Sequence, residues 1–277
     1  PAMILSPYFL VNSLDWWQAM RHIYASFSDL ASTIPKAHVL HISSGFLEEN
    51  SETITSLVCE SDSSTWAIWI DDTIEDSASD GVLAAYSSLV HSIARAGKTI
   101  FNLYGGFFSV CLTGCGLAGM CNGPGYGEYK SAEPITTGPV PVKLYIPPLS
   151  KRMNVTDSYD LLRRVYGSLT YNQYSESVCP CPICKNGLET SGLAGLIPYY
   201  GETKQSRGRD GRIYSMPTAQ AIERSRFHFL LQRLSEFRTI ARIGVGGVRN
   251  ILDSKQAAWP GNRYEIAHII RWLNNLG

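Results

Sequence analysis

Three cysteines and one distant histidine are the residues whose types and spacing most clearly predict chemistry in this sequence. Cys179, Cys181 and Cys184 lie within a single Cys-Pro-Cys-Pro-Ile-Cys run. A disulfide between thiols so close in sequence is strained, and three thiols cannot all pair with one another. A tetrahedral Zn²⁺ ion accepts three thiolates and one imidazole nitrogen, and His228 is the best candidate for the fourth ligand. The sequence therefore predicts a closed, structural zinc site.

The same residues also have simpler interpretations. His228 stands between Phe227 and Phe229, which is typical of a buried histidine in a helix, and the three cysteines could be free thiols in a turn. Three neighbouring thiols without another partner favour the metal, which would clamp the cysteine loop onto the helix of His228. The remaining cysteines are predicted to be small buried apolar residues, because no ligand spacing supports a second metal site: Cys59, Cys111, Cys115 and Cys121.

A pair of acids, Asp71 and Asp72, follows the apolar run Trp66–Ile70. Acids at the end of a buried parallel strand often face an active site, so Asp71 and Asp72 are candidate catalytic residues. The alternative is an acidic turn that leads into a helix, together with Glu75 and Asp76.

Residues 105–128 form a glycine-rich segment, in which eight of 24 residues are glycine. Glycine lets the backbone approach a ligand closely, so a flat base could lie against this segment. The alternative is a tight connection between a strand and a helix that binds nothing. A phosphate-binding loop is excluded, since no Gly-Lys-Ser/Thr ending follows.

Short apolar runs alternate with amphipathic stretches along the chain, which favours parallel strand–helix–strand units. The predicted strands lie at 38–42, 66–70, 99–104 and 140–146, and the predicted helices at 81–96, 157–166, 218–242 and 262–275. Gly97 is placed to end the helix that precedes it, and Thr218 to cap the long helix. We therefore predict an α/β fold of the TIM-type (β/α)-barrel kind, irregular or incomplete, with a zinc-binding subdomain and C-terminal helices. The alternative is a doubly wound sheet.

We predict one domain, in which a barrel portion with a base pocket at 1–170 is completed by a zinc-binding segment with C-terminal helices at 171–277. The net charge is zero, so contact with nucleic acid would need local basic patches. The segment 186–217 reads as a mobile basic loop that could contact phosphates or be an ordinary solvated loop, and its basic residues are Lys204, Arg207, Arg209 and Arg212. No apolar run is long enough to span a membrane and no signal peptide is evident, so we expect a cytoplasmic protein with reduced cysteines.

The Cys-x-Cys-x-x-Cys … His arrangement resembles the zinc site of the tRNA-guanine transglycosylases. In that family the histidine opens a phrase of the form His-aromatic-x-Leu … Glu-aromatic-Arg, and residues 228–238 read His-Phe-Leu-Leu-Gln-Arg-Leu-Ser-Glu-Phe-Arg. The distance from Cys184 to His228 is longer than in the family, which makes 186–217 an insertion.

The resemblance continues upstream in weaker phrases, over roughly residues 66–240. Ile70–Thr73 looks like the family's Asp-Glu-Cys phrase, 102–106 like its Ile-x-Gln-Gly strand end, and 122–128 like its Gly-Gly-Leu-Ala-Val-Gly-Glu loop. The resemblance implies a pocket for a guanine or 7-deazaguanine base lined by Asp71, Tyr104, Gly105, Gly123, Gly125 and Tyr126.

Two acids of the family are absent from the matching phrases. Where the family has its nucleophilic aspartate, the stretch around Asn172 has no acid, and its second aspartate corresponds to Ser43. Neither residue can attack an anomeric carbon and hold a covalent intermediate. Another acid such as Asp71, Asp72 or Asp157 would have to act instead, or the chain is inactive alone.

Three functions follow as hypotheses. The first is a base-exchange transglycosylase that replaces guanine by a 7-deazaguanine in tRNA or DNA. The second is an inactive relative that binds nucleic acid or a catalytic partner subunit, within a homo- or hetero-oligomer. The third is a binding module for a free purine or 7-deazaguanine base.

Overall fold

The computed structural model describes residues 3–121, 123, 130–132, 142–208 and 211–276. The chain divides into two compact units. The first contains Pro1–Ile135, Phe237–Asp253 and His268–Gly277, and the second contains Thr136–Glu236 and Ser254–Ala267. The predicted change at residue 170 from the barrel portion to the zinc-binding segment stays a prediction.

The first unit is built on a five-stranded sheet in which every neighbouring pair of strands is parallel. Its strands follow one another in chain order: β1 (Ile4–Leu5), β2 (Lys36–Ser43), β3 (Thr65–Asp71), β4 (Thr99–Asn102) and β5 (Gly119–Met120). The register between β2 and β3 pairs His41 with Trp69 and Ser43 with Asp71. These four side chains therefore lie side by side near the carboxyl edge of the sheet.

One helix connects each strand to the next: α1 (Leu14–Asp29), α2 (Ser44–Glu60), α3 (Asp80–Arg95) and α4 (Phe107–Thr113). Because every crossover steps to the adjacent strand in the same direction, right-handed connections place the helices on one face of the sheet. The hydroxyls of Ser13, Ser43 and Ser79 accept hydrogen bonds from the first turns of α1, α2 and α3, which sets where these helices begin. Buried side chains of α3, among them Leu83, Leu89 and Ile93, form part of the core.

The second unit begins with an antiparallel hairpin of β6 (Lys143–Ile146) and β7 (Lys151–Asn154). Its next elements are α5 (Val155–Tyr166), α6 (Tyr171–Ser177), α7 (Pro182–Leu188), a 3-10 turn (Gly192–Gly195) and α8 (Leu196–Tyr200). A second antiparallel hairpin of β8 (Thr203–Arg207) and β9 (Ile213–Pro217) leads into the long helix α9 (Ala219–Ile240). The last elements are α10 (Gly244–Ala258), a 3-10 turn (Arg263–Ile266) and α11 (Ala267–Asn274), of which α10 up to Asp253 and α11 from His268 belong to the first unit.

Most predicted elements are confirmed. Gly97 has φ +74° directly after α3, as its predicted place at a helix end requires. The Thr218 hydroxyl accepts a hydrogen bond from the backbone N–H of Ala221, so it caps α9. The fourth predicted strand exists as β6, but it pairs with β7 in an antiparallel hairpin rather than with the parallel sheet.

The fold class is confirmed at the level of a mixed α/β protein with a parallel sheet. Over the described residues the sheet β1–β5 is not closed, so the predicted barrel stays a prediction. Helix α10 was not predicted, because its first residues, Gly244-Val245-Gly246-Gly247, carry three glycines, which disfavour helices.

Candidate functional sites

Local structure gathers the three cysteines before the rest of the second unit is considered. Cys181 is the N-cap of α7, and its Sγ accepts a hydrogen bond from the backbone N–H of Cys184 at 3.4 Å. Pro182 occupies the first position of the helix, where a missing N–H costs nothing. Cys179 precedes this cap by two residues. The Cys-Pro-Cys-Pro spacing therefore starts a short helix that turns all three sulfurs inward.

Helix α9 brings His228 to these sulfurs. Its Nδ1 lies 3.3 Å from the Sγ of Cys181, 3.4 Å from that of Cys184 and 3.9 Å from that of Cys179. All four ligand atoms lie within 4.8 Å of one another. Bond lengths of about 2.3 Å to sulfur and about 2.0 Å to nitrogen in a tetrahedron require a sulfur–nitrogen separation of about 3.6 Å, which is the middle of the observed range.

The burial and charge of this cluster suit a metal cation. All four side chains are buried. Hydrogen bonds from the thiols of Cys179 and Cys184 hold the pKa of Cys181 far below its usual value, while the same contacts raise the pKa of Cys179. Without a cation, one negative charge is shared among the sulfurs, because three adjacent buried thiolates would repel one another. The four residues could hold a metal ion, as predicted.

Further contacts orient the ligands. The Nε2 of His228 lies 2.7 Å from the backbone oxygen of Tyr145, so the ring donates its proton there and directs Nδ1 at the sulfurs. The hydroxyl of Tyr200 lies 3.2 Å from the Sγ of Cys184, and that of Tyr174 lies 3.8 Å away. Burial raises the pKa of both tyrosines, and the hydroxyls therefore stay protonated and donate to the sulfur.

The other cysteines only partly match their prediction. Cys111 and Cys115 are buried, as expected of small apolar residues. Cys59 is half-buried and Cys121 is exposed, so the prediction is wrong for Cys121, which lies directly after the short edge strand β5. Within the part of the chain that the structure describes, the cluster around His228 is the one group of such residues that could hold a metal ion.

Asp71 lies at the end of β3, where the sequence placed it. Its Oδ1 accepts a hydrogen bond from the backbone N–H of Ala132 at 2.7 Å and lies 3.2 Å from the Nε2 of His41. The side chain is 12% exposed. The residues around Ala132 cross the end of the strand, because the backbone oxygen of Lys130 accepts hydrogen bonds from the backbone N–H of Asp72 and from the Trp69 indole.

Aromatic rings surround this carboxylate. The His41 ring stacks on Trp69 with centroids 3.6 Å apart and planes 10° apart, as their pairing in neighbouring strands allows. Tyr8 meets both rings edge-on, and Tyr104 packs at 61° to Trp69. The ammonium of Lys130 lies over the faces of Trp69 and Tyr104, at 5.0 and 5.4 Å from their centroids.

His41 and Lys130 were not predicted as site residues. Burial lowers the pKa of His41, hydrogen bonding and charge at Asp71 oppose this effect, and Lys130 adds to it, which leaves the pKa below its usual value. A neutral His41 then donates its Nε2 proton to Asp71. The signal for His41 was present in the sequence, because a polar residue interrupts the apolar run of β2 two positions before the carboxyl end.

Asp72 faces a different environment from its neighbour. It is exposed and has φ +46°, a left-handed backbone conformation that is strained for a residue with a side chain. It lines an open cleft of about 330 Å³ together with Ser44, Gly45, Glu48 and Thr73. The strained turn at Asp72 therefore directs the two carboxylates of the pair to different surroundings.

Tyr104 and Gly105 follow β4 at the same edge of the sheet. The Oδ1 of Asn102 accepts a hydrogen bond from the backbone N–H of Tyr104 at 3.0 Å. Gly105 is buried, and a Cβ at this position would lie 2.4 Å from the Oγ of Ser109. The glycine is thus required for packing. Of the other predicted pocket residues, Gly123 is described, and Gly125 and Tyr126 lie outside the described residues.

The acid Glu75 has the structural role that the simpler interpretation allowed. It is buried, and its carboxylate accepts hydrogen bonds from the backbone N–H and the hydroxyl of Ser109. Ser109 also accepts from Asn102 and bonds the hydroxyl of Tyr86. This network stabilises the connection between β4 and α4, which contains Tyr104.

The basic segment of the second unit forms a hairpin of β8 and β9 rather than a loop without structure. Lys204, Arg207 and Arg212 are exposed there, and Arg209 lies outside the described residues. Because side chains alternate along a strand, Lys204 and Arg207 point to opposite faces of the hairpin. The sequence could not show that these two side chains point to opposite faces, because side chains alternate between faces only where the segment is an extended strand.

Comparisons with protein-family models, with curated proteins and with solved structures gave no match to this chain. In the described part of the chain, every helix is too short or too polar to cross a lipid bilayer. The function of this protein is therefore inferred from the metal centre and from the surroundings of Asp71.

Proposed function

We propose that this chain is a zinc-containing protein of the tRNA-guanine transglycosylase type, which recognises a guanine-like base in tRNA or DNA and exchanges it for a 7-deazaguanine. The observation that carries the proposal is the carboxylate of Asp71 among aromatic rings at the carboxyl edge of a parallel sheet. Ligands bind at this edge both in open α/β sheets and in barrels.

Zinc is the metal that best suits the cluster of Cys179, Cys181, Cys184 and His228. Soft thiolates with one imidazole favour zinc over magnesium or calcium, which prefer oxygen ligands. Four protein ligands leave no open coordination position, so the ion serves the fold and not the reaction. The strand order β1–β5 in the direction of the chain is that of a (β/α) barrel, which supports the barrel as part of this proposal.

Asp71 is suited to the recognition of the base. A guanine edge presents N–H donors at N1 and at its exocyclic amine, and a carboxylate accepts from both. Oδ1 accepts from Ala132 and His41, while Oδ2 has no hydrogen-bond partner among the described residues. The contacts to Oδ1 hold the carboxylate in a fixed orientation, which lowers the entropic cost of binding.

Tyr104 and Trp69 supply the apolar surface for the base. Both rings carry the ammonium of Lys130 over their faces, so a base that stacks there replaces this group. Lys130 is exposed and its side chain is flexible. Once displaced, its charge is available for a phosphate of the nucleic acid. The exposed Lys204, Arg207 and Arg212 of the hairpin supply further phosphate contacts in this proposal.

Asp72 is the candidate nucleophile, because it is exposed whereas Asp71 accepts hydrogen bonds from Ala132 and His41. In this proposal the base lies at Asp71 and the sugar extends into the open cleft that Asp72 lines. Its carboxylate oxygen would form a bond to C1′ of the nucleotide as the bond from C1′ to the guanine nitrogen breaks, and guanine leaves with a proton. The incoming base then attacks C1′ through its ring nitrogen, loses the proton from that nitrogen and releases the carboxylate.

A second candidate function is a relative that binds nucleic acid without turnover. Two observations favour it. The hydroxyl of Ser43, which stands where the family has an acid, caps α2. Asn172, at the position of the other family acid, is an exposed residue of α6 in the second unit.

The test combines binding and exchange. Wild type is incubated with labelled guanine or 7-deazaguanine and with tRNA or duplex DNA, and incorporation is measured beside base binding by equilibrium dialysis. We expect incorporation to be lost in Asp72→Asn, base affinity to fall at least tenfold in Asp71→Asn, and both to be unchanged in Glu60→Gln, an exposed acid of α2.

Retained base and nucleic-acid binding without incorporation would replace the first function by the second. Base binding without nucleic-acid binding would support a purine-binding module instead. If neither guanine nor 7-deazaguanine binds, the proposal of a base pocket at Asp71 is wrong.

A further inference from the structure

The hairpin of β8 and β9 lies open to solvent on both of its faces. All five residues of β8 are exposed, and so are Ile213, Tyr214 and Ser215 of β9. An isolated pair of strands is only marginally stable in water, so a hairpin with both faces exposed gains stability from a partner. The hairpin is therefore a candidate interaction surface.

The base of this hairpin is fixed to the start of α9. The backbone N–H of Thr218 donates to the backbone oxygen of Glu202 at 3.0 Å. The carboxylate of Glu202 accepts hydrogen bonds from the hydroxyl of Thr218 and from the guanidinium of Arg224, each at 3.1 Å. The charge of this acid is therefore offset by Arg224 rather than by the basic residues of the strands.

The register of the two strands decides which side chains share a face with Tyr214. Tyr214 pairs with Ser206, and residues opposite one another in an antiparallel pair point to the same face. A hydrogen bond from the N–H of Gly208 to the oxygen of Arg212, at 2.8 Å, continues the pairing beyond β9. Because side chains alternate along each strand, Lys204 and Arg212 share the face of Tyr214. Their backbone positions lie about 7–8 Å from that of Tyr214, one towards each end of the hairpin.

The opposite face of the hairpin has a different composition. Arg207 and Ile213 pair with each other there, and the guanidinium of Arg207 donates to the backbone oxygen of Gly211 in the turn at 3.3 Å. Within β8 and β9, this face carries no aromatic residue. An aromatic ring between two basic side chains is thus a property of the face of Tyr214 alone among the two faces of the described strands.

We propose that the face of Tyr214 binds single-stranded nucleic acid, with an unpaired base stacked on the ring and the flanking phosphates at Lys204 and Arg212. An aromatic ring offers a stacking surface to any base, whereas the bases of a duplex are already stacked on one another. The segment 203–217 carries four basic residues and one acidic residue, which suits a polyanion. Such binding is independent of base exchange, because it needs neither a guanine nor the carboxylate of Asp71.

Oligonucleotides without guanine separate this face from the pocket at Asp71. Fluorescence anisotropy with labelled oligouridylate and oligothymidylate of about 12 nucleotides, a length typical of single-strand-binding sites, gives the dissociation constant at several salt concentrations. Stacking does not require the 2′-hydroxyl, so we expect both strands to bind. A duplex of oligothymidylate with oligodeoxyadenylate is measured beside them.

Substitutions of Tyr214 test the stacking. Tyr214→Ala should weaken the binding of either single strand about tenfold, whereas Tyr214→Phe keeps the ring and should stay within about twofold of wild type. Affinity for the duplex should be the same in Tyr214→Ala as in wild type. Ile213→Ala is the matched control, because Ile213 is the adjacent exposed apolar residue and points to the opposite face. It should bind both single strands as wild type does.

Substitutions of the two basic residues test the phosphate contacts. For a single strand, each phosphate contact contributes about 0.7 to the slope of log affinity against log salt concentration. Lys204→Gln and Arg212→Gln should therefore each reduce this slope by about 0.7. Arg263→Gln, at an exposed arginine elsewhere in the second unit, is the matched control and should leave the slope unchanged.

An abasic strand of the same length distinguishes stacking from a change in the fold of the hairpin. It keeps the phosphates and lacks the bases, so Tyr214→Ala should bind it as wild type does, whereas Lys204→Gln and Arg212→Gln should bind it more weakly. Equal losses of Tyr214→Ala for the abasic strand and for oligouridylate would show that the ring supports the hairpin rather than a base, and the proposal would be wrong.

Two results with wild type would also overturn the proposal. The first is that neither oligouridylate nor oligothymidylate binds. The second is that polyglutamate displaces these strands as well as an unlabelled strand does, because the face would then bind any polyanion. The pocket at Asp71 is tested separately with guanine, so each of the two proposals can fail while the other stands.

Discussion

The hydroxyl of Tyr200 provides a sharp test of the metal centre, because one atom is removed and none of the four ligands changes. Tyr200 is fully buried, and its hydroxyl lies 3.2 Å from the Sγ of Cys184. Its raised pKa keeps the hydroxyl protonated, so it donates to the thiolate. Tyr200→Phe removes this donor and leaves the packing of the ring in place.

The size of the effect follows from the type of hydrogen bond. A hydrogen bond to a charged group contributes about 1.5–3 kcal/mol, which corresponds to about 10- to 100-fold in metal affinity. Loss of contacts that orient metal ligands has effects of the same size. Tyr174 lies 3.8 Å from the same sulfur, so Tyr174→Phe should reduce the affinity less than about tenfold.

Competition with a chromophoric zinc chelator measures these affinities. Elemental analysis gives the number of metal ions bound per chain. Tyr199→Phe is the matched control, because Tyr199 is adjacent to Tyr200 in the chain and half-buried. An affinity of Tyr200→Phe equal to that of wild type, or a larger loss in Tyr174→Phe, would refute the reasoning. A protein that binds no metal would remove the basis of the zinc proposal altogether.

Three further predictions concern stability. Removal of the metal by a chelator should lower the unfolding temperature, and added zinc should restore it. The unfolding temperature of Cys181→Ala should respond to neither treatment, whereas Cys59→Ala should behave like wild type. An unfolding temperature that does not change on chelation would contradict a structural metal. Gly105→Ala should lower the free energy of unfolding in urea by about 1–3 kcal/mol, because its Cβ would overlap Ser109. Gly45→Ala should not lower it, because no atom lies within 4 Å of the added Cβ. Equal effects of the two substitutions would show that the contact with Ser109 is unimportant. Burial and the charges of Lys36 and Lys98 lower the pKa of His38 to about 4, so the unfolded chain takes up its proton first and stability should fall as the pH falls from about 6.5 to about 4. His38→Phe should flatten this decline between pH 6.5 and 4, and an unchanged slope would assign the decline to other groups.

The metal centre and the base pocket differ in how far the chain itself could predict them. The ligands of the metal centre were predictable because a Cys-Pro-Cys-Pro-Ile-Cys run has few other uses, and one histidine stood on a helix with apolar neighbours. The contacts that orient these ligands were not predictable. Tyr145, Tyr174 and Tyr200 reach His228 and Cys184 from separate elements, and no spacing along the chain indicates which hydroxyl or carbonyl meets which ligand.

The pocket at Asp71 was predictable only in part. Asp71 at the end of β3 and Tyr104 after β4 could be placed at one edge of the sheet, because parallel strands align their carboxyl ends. His41 could also be placed at this edge, but its stacking on Trp69 and its contact with Asp71 depend on the register of β2 against β3. Lys130 could not be placed there, because its contacts depend on where residues 130–132 cross the sheet.

The local features of this protein could be predicted from its sequence: the apolar strands, the capped helices and the cluster of thiols that suits a metal ion. These follow from interactions over a few residues, such as the Ser43 cap and the cysteine turn at Pro182. Only the tertiary structure decided that β6 pairs with β7 rather than with the parallel sheet, and that Asp71 and Asp72 have different surroundings. β6 could pair either with the adjacent β7 or with a distant parallel strand, and the surroundings of each acid come from distant segments, so no local pattern records the outcome of this competition.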